Sequence, residues 1–204
     1  MEKIQYGFLM LLLMAIVNSP LNAQISNYSF SQQTGQVYSG ITGGTILSGL
    51  DDDDSYYSTL PIGFTFAYNG LDYTTFGACT NGFIGLGSDN LLSYYYDPLE
   101  YIATGKVLCA FGDDLYASPT SEFSYKTEGI APFRILTVQY KNFTLLGDPS
   151  AILNFQIKLF ETTNQIKYCY GSESNIVSVS TPQVGLSGSS NSDIVCRTDR
   201  KSVV

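Results

Sequence analysis

Residues 60–87, LPIGFTFAYNGLDYTTFGACTNGFIGLG, decide the fold class. Ile62, Phe64, Phe66 and Tyr68 alternate with Gly63, Thr65, Ala67 and Asn69, which sets four apolar side chains on one face of an extended strand. Asn69-Gly70 follows at once, and both residue types accept the positive φ of a type I′ hairpin. A second pair, Asn81-Gly82, divides two further runs of aromatic and β-branched residues. The stretch therefore predicts a three-stranded meander.

The same alternation recurs downstream. Residues 107–111 are a short, nearly continuous apolar run, the mark of a strand buried on both faces. Residues 123–126 read as a short strand, and 128–132 as the connection to the next. Leu136, Val138 and Tyr140 then fall on one face, with Ile135, Thr137, Gln139 and Lys141 on the other. Leu153, Phe155, Ile157 and Leu159 oppose Asn154, Gln156 and Lys158, so one side is expected to meet the core and the other water. Ile166, Tyr168 and Tyr170 return on the core side, and residues 183–186 form a later strand followed by a polar loop.

Upstream, Ser, Thr, Gly and Gln dominate residues 25–49, which read as a loose arm with short strands over 36–41 and 44–47. No window of the mature chain carries capped helical periodicity. About ten short strands at regular turn spacing predict an all-β fold, an antiparallel β-sandwich with jelly-roll or Ig-like layering.

Composition agrees with this class. Sixteen Tyr, twelve Phe and nineteen Gly accompany only 14% charged residues. The first residues read as a secretory leader over 1–23: Lys3, an apolar run over 6–17, and a small residue at Ala23. That run is too short for a membrane span, and no later one approaches the length required. A single domain is expected over 24–198, exported to the cell surface or medium, where a net charge of −8 favours solubility and disfavours nucleic acid as a partner. Residues 199–204, DRKSVV, look like what a sequencing adapter encodes in frame, which leads to the expectation of a non-native tail and of a sandwich short of its last strand or strands.

The residue inventory restricts chemistry. There is no histidine in the chain, so Ser-His-Asp, Cys-His and His-ligated metal arrangements are excluded. No Gly-rich strand-to-helix phosphate loop is present. Cys79, Cys109, Cys169 and Cys196 lack the close spacing of zinc ligands, and are read either as core thiols or as disulfide partners. Acid–base work on a glycoside would fall to Glu100, Asp113, Asp114, Glu122 and Glu161, but neighbouring Asp113 and Asp114 cannot flank one bond from an extended segment. No catalytic residue is assigned.

Two groups remain as binding candidates. Asp51, Asp52, Asp53 and Asp54 form a solvated loop or, together with Asp113 and Asp114, a calcium site; the spaced ligand pattern of a helix–loop–helix calcium loop is lacking. Tyr94, Tyr95 and Tyr96, in the polar segment 88–106, can offer flat amphipathic faces to a protein or a glycan.

The meander, with VLCAFGDDLYAS, FSYKTEGIAPFRILTVQYKNF, AILNFQIKLFETTNQIKYCYG and VGLSGSSNSD, resembles the N-terminal β-sandwich modules of large secreted Bacteroidota proteins of the type IX secretion cargo type. More distantly it is similar to the NIDO module of nidogen-like extracellular proteins. The resemblance implies a non-catalytic binding or adhesion module of a larger secreted or cell-surface protein. A carbohydrate-active enzyme or its glycan-binding accessory, and a structural spacer, are the competing readings.

Overall fold

The computed structural model describes residues 25–35, 38–49, 53–87, 97–101, 105–175, 181–190 and 192–197. Its strands are β1 (Thr45–Ile46), β2 (Tyr56–Tyr68), β3 (Leu71–Cys79), β4 (Phe83–Leu86), β5 (Val107–Gly112), β6 (Leu115–Glu128), β7 (Ile135–Leu145), β8 (Asp148–Phe160), β9 (Ile166–Tyr170), β10 (Gln183–Ser187) and β11 (Ile194–Arg197). They form a five-stranded sheet ordered β1-β6-β7-β8-β9 and a six-stranded sheet ordered β11-β10-β5-β4-β3-β2. Every strand pairing is antiparallel. The expected β-sandwich is what the chain forms. The leader read over 1–23 and the tail read over 199–204 lie outside the described residues.

The meander forms as the sequence predicts. Asn69 and Gly70 have φ of 49° and 77°, both in the left-handed region, and join β2 to β3 with Tyr68 opposite Leu71. Ile62, Phe64, Phe66 and Tyr68 are all buried, at 0 to 5% exposure, so the period-2 pattern sets which face of β2 turns inward.

The core lies between the sheets. Phe111 of β5 stacks on Phe155 of β8 at 5.7 Å between ring centroids, and Phe76 of β3 meets Tyr125 of β6 edge-on at 5.5 Å. Buried tyrosine hydroxyls find carbonyls on the facing sheet: Tyr140 lies 2.8 Å from the Cys79 oxygen, Tyr170 donates to Ala110 at 2.7 Å and Tyr168 to Gly185 at 2.8 Å. Each of these bonds removes the penalty of burying a hydroxyl and fixes one sheet against the other.

Several expectations are corrected. The described part of 36–41 is not a strand, and 44–47 contributes only the two-residue β1. The short strand expected at 123–126 is the end of the 14-residue β6, whose register shifts between Ala117 and Glu122 to absorb the SPTS segment. The polar segment after β4 contains a short helix, α1 (Pro98–Tyr101), with Leu99 fully buried. A further strand, β11, follows the loop after β10. Most consequentially, the side of β7 and β8 expected to face water is covered at its middle, where Gln139 and Gln156 are 1% and 0% exposed, while Lys141 on the same side is exposed as expected.

Candidate functional site

The ends of the sandwich differ in chemistry. At one end, the turn before β2 and the connection between β5 and β6 converge on the β3–β4 turn. Asn81, fully buried, donates to Asp54 Oδ1 at 2.9 Å and accepts from the Leu115 amide at 3.0 Å. Thr80 Oγ1 donates to the Asp53 carbonyl at 2.8 Å and accepts from the Ser55 amide at 3.0 Å. Asp113 Oδ1 accepts the Asp114 amide at 2.9 Å, the loop-fixing role that an Asp after a buried strand can take.

The fold thus brings Asp53 and Asp54 toward Asp113 and Asp114. Partial burial, with the charge of Asp54 second, pushes the Asp53 carboxyl up; burial, followed by the charges of Asp53, Asp54 and Asp113, does the same for Asp114. Asp53 Oδ1 and Asp113 Oδ2 are buried with no hydrogen-bond partner. Even so, among the described residues no group of three or more His, Cys, Asp or Glu is placed to hold a metal ion. Asp51 and Asp52 lie outside the described residues, as do Tyr94, Tyr95 and Tyr96.

The opposite end is apolar and braced. The β6–β7 connection turns through Gly129, at φ 97°, and presents Ile130 and Phe133 at 86% and 76% exposure. These are the two most exposed large apolar side chains among the described residues. The loop is held on several sides. Phe133 N–H donates to the Ile130 carbonyl at 2.8 Å, and Thr162 Oγ1 to the Pro132 carbonyl at 2.6 Å. Arg134 forks onto Glu161, with Nε 2.8 Å from Oε2 and Nη2 2.5 Å from Oε1, and its Nη1 donates to the Gly63 carbonyl of β2 at 2.5 Å. The Arg134 guanidinium holds the Glu161 carboxyl down to about 2. Leu71, 59% exposed, follows the β2–β3 turn at this same end.

From sequence, residues 128–132 read as a connection and Glu161 only as one of the scattered acids. The overlooked signal is IAPF, two large apolar residues bracketing Ala-Pro in a turn. Glu161 is one half of the brace.

A third arrangement lies on the outer side of the five-stranded sheet. Ser124, Gln139, Gln156 and Cys169 are cross-strand partners in one transverse row over β6, β7, β8 and β9. The arm crosses this row: Gln139 Oε1 accepts the Ile41 amide at 2.9 Å and the Tyr38 hydroxyl at 3.4 Å, and Gln156 Nε2 donates to the Ser39 carbonyl at 2.8 Å. Burial, with the Glu122 charge second, pushes the Tyr38 hydroxyl up to about 12, which keeps it a donor at neutral pH.

The cysteines are not joined in disulfides, and for Cys79, Cys109 and Cys196 register explains why. Cys79, Phe83, Cys109, Gly185 and Cys196 are successive partners across β3, β4, β5, β10 and β11. Neighbouring cysteines in this row are two strands apart, about 9–10 Å between Cα atoms, beyond the roughly 7 Å a disulfide spans. Burial pushes the Cys79 thiol up to about 12 and Cys109 well above the ordinary thiol range.

No described helix is long and apolar enough to cross a membrane. No curated protein and no solved structure matches the chain. A family description, NIDO related, matches residues 27–203, which takes in every described strand of both sheets and both ends of the sandwich. The chain therefore belongs to the NIDO-related family, a class of all-β extracellular modules found within larger proteins.

Proposed function

We propose that this module is a non-catalytic binding or adhesion domain that meets a protein partner through its braced apolar end. The observation that carries the reading is the exposure of Ile130 and Phe133 on a loop fixed by the Arg134–Glu161 fork and the Thr162 hydroxyl. Large apolar anchors already held in place bind with little ordering cost, which is how interface hot spots work. Membership of a family of protein-interaction modules supports the same reading, as does a chain without histidine. In this reading the module is exported, stands near the start of a longer type IX secretion cargo, and works outside the cell. The full gene, read on past codon 198, tests that placement.

The binding test compares the wild-type domain with an Ile130→Ser/Phe133→Ser variant and a Tyr94→Ala/Tyr95→Ala/Tyr96→Ala variant on arrays of extracellular proteins and of glycans. The expected outcome is protein binding that falls at least tenfold in the Ile130/Phe133 variant while its melting midpoint stays within about 2 °C of wild type. Unchanged binding would refute the loop as the contact. Selective loss in the tyrosine variant, with glycans as ligands, would favour the glycan-binding alternative, and turnover of any glycan would overturn the non-catalytic reading. A domain that binds nothing on either array would be a spacer.

The acidic end is read as a hydrated loop pair. Calcium is expected to leave the melting midpoint unchanged, and a rise that chelator reverses would assign a cation to Asp53, Asp54, Asp113 and Asp114.

A further inference from the structure

We propose that Ser124 and Gln139 join in an autocatalytic ester cross-link between β6 and β7, with Glu122 as the base. Three features of the buried row carry the inference, and each supplies one requirement of acyl transfer.

The first is an activated nucleophile. Ser124 Oγ donates to Glu122 Oε1 at 2.9 Å, so the hydroxyl proton already points at a carboxylate. The second is a polarised acyl group. Gln139 Oε1 faces three donors: the Ile41 amide at 2.9 Å, Gln156 Nε2 at 2.9 Å and the Tyr38 hydroxyl at 3.4 Å. Such convergence on one carbonyl oxygen is what stabilises the oxyanion of a tetrahedral intermediate. The third is a route for the leaving group. Gln139 Nε2 lies 3.1 Å from Glu122 Oε1 and 3.5 Å from Ser124 Oγ, so the carboxylate that takes the hydroxyl proton is placed to return it to departing ammonia.

Ser124 and Gln139 sit directly opposite one another on paired strands, and neither is more than 1% exposed. Proximity is therefore fixed by the fold, and burial of both reacting groups restricts the approach of water, the competing nucleophile, to the side of the partly exposed Glu122. The reaction balances without a co-reactant. Ser124 Oγ attacks Gln139 Cδ as its proton passes to Glu122; the Cδ–Nε2 bond then breaks, Glu122 returns the proton to nitrogen, and one ammonia leaves. No electrons are transferred. The product is an ester joining the two side chains, and the mass falls by about 17 Da, that of ammonia.

A bond of this kind suits a module outside the cell. It closes the β6–β7 hairpin covalently without a disulfide, so reductants do not open it, and it fixes the row on which the arm rests. Linking two residues about 15 apart restricts the unfolded chain much as a disulfide over the same loop would.

The test is peptide mapping of the purified wild-type chain after incubation near neutral pH. Trypsin cuts after Lys106, Lys126, Arg134 and Lys141, which places Ser124 in peptide 107–126 and Gln139 in peptide 135–141. The expected result is a linked pair of these peptides, lighter than their sum by about 17 Da, separated by hydroxylamine and absent in Ser124→Ala. Recovery of both wild-type peptides unlinked and at full mass overturns the proposal. So does an equal loss confined to another peptide, as N-terminal glutamine cyclisation or an Asn-Gly succinimide would give. A linked pair that persists in Glu122→Gln would remove Glu122 as the base. The linked form is expected to melt several degrees above Ser124→Ala.

Discussion

Both sheets are covered on the side away from the core, and the two coverings use opposite chemistry. On the six-stranded sheet, Cys79, Phe83, Leu99, Val107 and Cys109 make a small apolar cluster beneath α1. On the five-stranded sheet, Ser124, Gln139 and Gln156 make a polar row beneath the arm. Apolar burial is non-directional and scales with area. A buried polar row depends on the pairing of its individual donors and acceptors, and Gln156 Oε1 already lacks a partner here. The first covering should thus be insensitive to detail and the second dependent on individual bonds.

The sharpest contrast is kinetic. Cys109 lies in the apolar row and Cys169 at the half-buried end of the polar one. A thiol reagent applied to the native chain should modify Cys169 at least about a thousandfold faster than Cys109, which waits for global opening. Comparable rates would mean that the apolar covering opens locally. Next in size, Phe83→Ala removes a fully buried ring from under α1 and should cost about 3–5 kcal/mol in denaturant unfolding.

A smaller effect is expected from Gln156→Leu, which keeps volume but strands the Ser39 carbonyl and removes one donor from Gln139. It should cost about 1–3 kcal/mol and open the arm to protease between residues 38 and 44. If this variant matched Phe83→Ala in cost, the polar row would be as central to stability as the apolar one. The smallest effect belongs to an ion pair in neither row. Because Glu161 is held below its unfolded pKa, its contribution is present above about pH 4.5 and is lost as pH falls toward 2. Melting curves of Glu161→Gln and wild type should converge in that window and differ only modestly near pH 7.

The same contrast separates what was legible in the chain from what was not. The meander could be read because its signals are local: alternation along β2, and an Asn-Gly pair whose two residues adopt positive φ. The double burial of β5 showed as a run of apolar residues with no polar side, and its second face is indeed the one beneath α1. Gln139 and Gln156 look solvent-facing from sequence because each alternates correctly with core residues. Their burial comes from an arm about a hundred residues away, and only register shows that they share a row. The length of β6 was hidden by Pro119 and its serines, which the register shift absorbs. At the acidic end the two Asp segments were recognised, but their approach depends on Asn81, which reads as only a turn residue. The exposure of Ile130 and Phe133 could not be read, because local pattern says nothing of which side chains a turn leaves uncovered.

One detail of β2 bears on how the module behaves in company. This strand ends its sheet, and Pro61 lies within it. Side chains from β6 and from the turns beside it engage three of its backbone groups: Thr127 donates to the Ile62 carbonyl at 2.6 Å, Arg134 to the Gly63 carbonyl at 2.5 Å, and Asn164 accepts the Ala67 amide at 2.9 Å. Over residues 62–67, groups so engaged are not open to a strand from a neighbouring molecule, whose pairing is the usual first step of edge-to-edge association. Copies crowded side by side can therefore meet along this margin without fusing into a shared sheet.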